Sequence, residues 1–282
     1  MRRCGPLTAN VRHGLHPEVS VKSVYLHNYQ GDVCSLCGEP GILTREHKIK
    51  ASAIREMFGV TRLYIGNTGP ERRKAKYAQG PKSNNLKFNS RICEACNSER
   101  TQPSDREFDK LNEKVQKLIE VGIDPMSVFA NNDRYIENQE PYLNIFRYFA
   151  KLLSCHMAEI NAPRPHRLTE FAIGRRTQNC IWLWIKEDWS YKNIESLIGP
   201  QQYTAHGGLV VYGSKTTGAA TGFHSTLTVG AAQYVFYINL LGEEIREIEI
   251  EYPLFFEWCK SKVAHNGDNP FTPEEKLSLG LA

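Results

Sequence analysis

Two pairs of cysteines constrain this chain more than any other feature. Cys34-Ser-Leu-Cys37 and Cys93-Glu-Ala-Cys96 share the spacing C-x-x-C. That spacing lets two sulfurs reach one ion from a single turn. A second pair completes a tetrahedral set of four thiolates and leaves no position for water, so the expected site is structural zinc. The competing readings are coincidence and a redox pair, which normally stands alone between a strand and a helix. Cys4, Cys155, Cys180 and Cys259 are isolated. They read as small buried hydrophobes or idle thiols. Closing the long segment between the two pairs costs chain entropy, which metal binding can offset.

The segment inside the cysteine clasp is basic. Residues 45–91 hold twelve Lys and Arg against Glu46, Glu56 and Glu71, a local balance of +9. The rest of the chain, with 23 basic and 28 acidic residues, carries −5. A net charge of +4 over 282 residues therefore conceals a basic module joined to an acidic remainder. Such a module suits a polyphosphate backbone, whose counterions are released on contact. A solvated loop rich in Gly, Pro, Lys and Asn across 69–83 is the plainer reading, and such a loop can order on nucleic acid. At 41% hydrophobic residues the chain can bury a sizeable core. No run approaches the ~18 apolar residues of a membrane span. The first residues lack an apolar signal core, so a cytoplasmic home is expected.

Within the basic segment stands Thr44-Arg45-Glu46-His47, nine residues past the first cysteine pair, and the second pair ends in Cys96-Asn97. The order C-x-x-C, acid-His, C-x-x-C-Asn resembles the HNH endonucleases (His-Me finger, ββα-metal), and is most similar to their zinc-containing branch. The resemblance covers roughly residues 30–110. It implies metal-dependent hydrolysis of phosphodiester bonds in DNA rather than RNA, leaving 5′-phosphate and 3′-hydroxyl ends. By the same resemblance His47 is the general base and Glu46 and Asn97 hold a catalytic Mg²⁺ or Mn²⁺. Cys34, Cys37, Cys93 and Cys96 hold structural Zn²⁺. Hard oxygen donors suit magnesium, and a neutral imidazole suits proton abstraction from water near pH 7. Glu46 stands where the family more often has Asp or His. The middle Asn is contested by Asn84, Asn85 and Asn89; Asn85-Leu86 matches the family dipeptide. On a straight strand Glu46 and His47 would face opposite ways, so a bulge at the strand end is expected. Asp105 either adds a carboxylate near the metal or favours the helix dipole as a first-turn residue.

The expected architecture is α+β: an arm at 1–30, a zinc-stabilised ββα-metal, treble-clef-like module at 31–125, and an α+β accessory domain at 140–282 with an antiparallel sheet. Ser104-x-x-Glu107 reads as a capping box for a helix ending near Gly122. Pro141 opens a helix whose apolar stripe runs through Tyr142, Ile145, Phe149, Leu152, Leu153 and His156. Strand-like runs follow at 180–185, 209–212, 225–229, 234–240 and 245–252, the last with the alternation Glu-Ile-Glu-Ile-Glu. A helix cap is expected at Thr272-Pro273. Trp182, Trp184 and Tyr203 can stack bases or pack in a core. The second half holds no recognisable catalytic constellation. A bacterial restriction or antiphage setting, with an activating partner protein, follows from the resemblance alone. Oligomeric state does not follow from the sequence. The alternative is a non-catalytic zinc-stabilised module that binds nucleic acid or protein through its basic loop. Glu46, His47 and Asn97 separate the two, because a binding module has no need of them.

Overall fold

The computed structural model describes residues 24–60, 62–66, 76–130, 132–188, 191, 203–214 and 216–266. Most of the expected arm and the Thr272 cap lie outside them.

Short strands and turns fill the first third. After β1 (Leu26–His27) comes a knuckle carrying Cys34 and Cys37. Next are β2 (Leu43–His47), α1 (Ala51–Phe58), β3 (Leu63–Gly66) and β4 (Lys76–Ala78). A 3-10 turn, Asn84–Leu86, leads into β5 (Lys87–Cys93). A six-residue π-helix, Ala95–Arg100, then feeds α2 (Gln102–Glu120). The second half holds α3 (Glu140–Glu159), β6 (Arg164–Pro165), α4 (His166–Ala172) and β7 (Trp182–Glu187). It continues with β8 (Tyr203–His206), β9 (Val210–Gly213), β10 (Ala220–Val229) and β11 (Ala232–Asn239). Helices α5 (Gly242–Glu251) and α6 (Pro253–Asn266) end the described chain. The fold is α+β. Among the described residues no helix is long and apolar enough to cross a membrane.

The main sheet runs β4-β3-β8-β10-β11-β7, with β9 also on β10. All its pairings are antiparallel except β3 with β8, which is parallel. That pairing carries part of the clasped segment into the sheet of the second half. Strands on both sides of residues 125–140 therefore share one sheet, and one cluster of buried side chains runs across that stretch.

Helix α3 lies at the centre. Every residue from Ile145 to Met157 is buried. A helix apolar on all sides belongs in a core, so the expected stripe is only one of its buried faces. Phe149 meets Tyr234 and Phe236 of β11, with ring centres 5.6 and 5.1 Å apart. Phe108 of α2 stacks on Tyr148 at 4.0 Å. Buried polar groups need partners here, and His156 meets the Ser225 hydroxyl at 3.1 Å.

Two local expectations need correction. The run Ile245 to Tyr252 is helical, within and just after α5, and not a strand. Its alternation coincides with a helical face: Glu244 and Ile248 are buried while Ile250 is exposed. Glu244 also accepts the Leu241 N–H at 2.8 Å, which starts the helix. Ser104 and Glu107 lie inside α2 and do not cap it. Pro103 sets its first turn, and Glu107 is taken by Arg134 at 2.6 and 2.7 Å. Gly122, at φ +73°, ends α2 as expected.

Candidate functional site

The four clasp cysteines converge. Their sulfurs all lie within 4.8 Å of one another, and Cys37 and Cys93 are 3.7 Å apart. A tetrahedral ion with Zn–S bonds of about 2.3 Å needs sulfurs about 3.8 Å apart. The first pair sits in a tight knuckle: the Leu36 N–H donates to Cys34 Sγ at 3.4 Å and Gly38 N–H to the Cys34 carbonyl at 2.9 Å. Gly38 holds φ +74° with the Tyr29 ring where a Cβ would be, 2.8 Å away. The second pair straddles the end of β5 and the π-helix, a distortion that often marks functional positions. The Cys34 thiol is pushed down to about 4, first by the hydrogen bond from Cys96, while burial opposes. Arg100 donates to Cys96 Sγ at 3.4 Å and supplies positive charge beside the sulfurs. These four residues can hold a zinc ion.

Strands β2 and β5 form an antiparallel pair next to this cluster, with a register shift between Arg45 and His47. The extra residues lie on β5, where Phe88, Asn89 and Ser90 stand opposite Glu46 alone, so β5 and not β2 is the bulged strand. Glu46 is buried and its Oε1 meets Lys151 Nζ at 3.0 Å. It has no other hydrogen-bond partner among the described residues. The Pro81 backbone beside the His47 ring favours its protonated form. Its Nε2 is buried and has no hydrogen-bond partner among the described residues. Burial, and then the positive charges of Lys87 and Lys151, push His47 down to about 4, so the imidazole is neutral at pH 7. An open cleft of about 290 Å³ lies on the Pro81 side, lined by Arg55, Val60 and Gln79 to Ser83.

Asn97 lies in the π-helix beside β2. Its Nδ2 donates to Thr44 Oγ1 at 2.9 Å, two residues back along β2 from Glu46. No hydrogen bond joins it to Glu46 or His47 among the described residues, although its amide oxygen stays clear of other partners. Asn85 is exposed on the 3-10 turn before β5. Asn89 Oδ1 accepts from Arg45 at 2.9 Å. The residue that meets Glu46's partner is Asp105: its Oδ1 lies 2.5 Å from Lys151 Nζ. Beside it Lys50 donates to the Asp105 carbonyl and pairs with Asp109 at 2.5 Å, and Ser52 donates to Asp109 at 3.1 Å.

The sequence offered only a faint sign of Lys151. It is the one lysine in the apolar run 140–159, where a charge has no route to solvent. The tally of basic residues also changes in meaning. Lys48 pairs with Glu159 at 2.9 Å and Lys50 with Asp109, so both charges are neutralised inside the fold. Arg72, Arg73 and Lys74 lie outside the described residues. In the second half, Trp182 stacks on Tyr237 at 6.1 Å and keeps 47% of its surface exposed. Compared with known proteins, the chain matches no family model, no curated protein and no solved structure.

Proposed function

We propose that this chain is an endonuclease of the HNH type, hydrolysing phosphodiester bonds in DNA. The observation that carries the reading is the state of His47: a largely buried ring held neutral at pH 7, its Nε2 without a partner among the described residues, next in the chain to a buried carboxylate, Glu46. With its proton on Nδ1, a neutral imidazole there has the Nε2 lone pair free to take a proton from water. Glu46 supplies a hard oxygen donor, and the amide oxygen of Asn97, on the π-helix beside β2, a second. Oxygen donors of these types fit Mg²⁺ or Mn²⁺, which keeps several waters of its own. Such an ion would neutralise charge on the scissile phosphate and the leaving oxygen. Zinc in the four-cysteine site would fix β2, β5 and the π-helix relative to one another, and so the bulge. Exposed Arg55 and Lys82 beside the Pro81 cleft suit a phosphate backbone.

A second reading has its own observation. Lys151 neutralises Glu46 in the interior, as it would in a zinc-stabilised module that binds nucleic acid without cutting it. The two are separated with a labelled DNA duplex, Mn²⁺ and the variant His47→Ala. The nuclease reading expects cleavage by wild type to 5′-phosphate ends, its loss in His47→Ala, and duplex affinity within about twofold. Equal behaviour of both proteins in cleavage and binding would favour the binding module.

A further inference from the structure

We infer that Lys151 is a positioning residue for the reaction proposed above, holding Glu46 by one oxygen so that the other faces the reacting centre beside His47. The inference rests on that nuclease reading. It also gives the second half of the chain a part in the site, because Lys151 belongs to α3.

Four observations carry it. Lys151 is fully buried on a helix with no solvent-facing side from Ile145 to Met157, so its ammonium has nowhere else to go. It meets two acids from two different elements, Glu46 of β2, across from the β5 bulge, and Asp105 in the first turn of α2. Its Nζ also lies 5.4 Å from the centre of the buried Tyr148 ring, which closes another side. Glu46 has no second hold among the described residues: only Oε1 is engaged, by Lys151.

Charge accounting points the same way. The cluster holds three carboxylates, Glu46, Asp105 and Asp109, against two ammonium groups, Lys50 and Lys151. Without Lys151, Glu46 and Asp105 would face each other as unpaired like charges in a buried place. One would then swing out or take a proton, and the bulge would lose its fixed carboxylate. A buried ion pair is a poor source of stability compared with apolar packing. Fixing geometry is its better use, since small displacements of a reacting group cost large factors in rate.

The test uses the full-length, zinc-loaded chain with Lys151→Met, Lys151→Gln, Lys151→Arg and His47→Ala. Mn²⁺ binding is followed by loss of the free-ion EPR signal. Cleavage of a labelled duplex is resolved into kcat and KM, and folding is checked by circular dichroism. The expected result is Mn²⁺ affinity weakened about tenfold in the Met and Gln variants. Their kcat is expected to fall about 100-fold with KM for DNA within threefold, and Lys151→Arg to recover at least tenfold of the loss. Lys151→Gln keeps two N–H donors at similar length, so it is the variant read if Lys151→Met fails to fold. Folded Met or Gln variants with wild-type Mn²⁺ affinity and kcat would overturn the inference. Tighter Mn²⁺ binding with faster cleavage would also overturn it, making Lys151 a block on the site. Cleavage by His47→Ala at the wild-type rate would remove the nuclease reading itself, a failure distinct from either.

Discussion

Removing zinc should do more to this protein than any single substitution. The four sulfurs tie the knuckle after β1 to the end of β5 and the start of the π-helix. Three of the four cysteines are buried, so an empty site leaves thiols crowded in the interior. Structural zinc contributes an apparent ~10–16 kcal/mol in small zinc-dependent units at pH 7. A whole domain has a net stability of only about 5–15 kcal/mol. The β2–β5 pair, with Glu46 and His47 at its bulge, should therefore not survive metal loss. The rest has its own support in the α2–α3 core and the seven-stranded sheet. An unfolding entropy of about 2.1 cal/mol/K per residue gives roughly 0.6 kcal/mol/K for a chain of this length. A loss of ~10 kcal/mol then lowers Tm by about 17 °C. The assay is differential scanning calorimetry on protein of known zinc content, before and after treatment with a strong chelator. The expected outcome is about one equivalent of zinc lost and a fall in Tm of about 10–20 °C, or a separate early transition of the hairpin. A Tm within about 2 °C of the loaded protein, at proven metal loss, would refute the structural role.

Other perturbations test separate parts. Gly38→Ala places a methyl against the Tyr29 ring at a positive φ; we expect about 1–3 kcal/mol of destabilisation and weaker zinc retention in a competition with a chromogenic chelator. Tyr234→Phe removes the donor that meets Asn112 Oδ1 at 2.8 Å in the interior; the urea midpoint should drop by the equivalent of about 1–2 kcal/mol, and an unchanged midpoint would argue against that bond. Acid should weaken the fold through three buried histidines. Burial, the leading cause in each, pushes His27 down to about 2, His224 to about 4 and His156 well below its usual value. These pKa values are depressed, so the folded chain keeps them neutral while the unfolded chain takes up protons below pH ~6.5. No stability is lost above that pH. Between pH ~6.5 and ~5.5, where the unfolded imidazole goes from half to about nine-tenths protonated, each histidine costs about 1 kcal/mol, or about 3 kcal/mol for three. Urea unfolding across that interval measures it, and a flat midpoint would contradict the burial account.

How much of this was legible in the sequence depended on the range of the interaction. The cysteine pairs could be read because each ligand pair lies within one turn, and the structure brings all four sulfurs together. A local bend or bulge of β2 was expected so that two neighbours could serve one site; the irregularity is there, but the extra residues lie on β5, across from Glu46. The run Glu247 to Glu251 misled because period 2 and a partial helical face coincide over five residues; burial of Glu244 and Ile248 decides for helix. Lys151 was hidden because periodicity marks apolar faces and is blind to a charge inside them. Its meaning arises only when β2, α2 and α3 converge. The parallel pairing of β3 with β8 was equally out of reach, since nothing local in either strand specifies a partner so distant in the chain.

The central claim is that His47 at the end of β2 serves as the base of a metal-dependent nuclease. Supercoiled plasmid with Mn²⁺ or Mg²⁺ tests it most directly, with zinc-loaded wild type and His47→Ala side by side. The account predicts nicked or linear product from wild type, none with a chelator of the divalent ion, and none from His47→Ala. Plasmid left intact by wild type, or cut equally by both proteins, would contradict it.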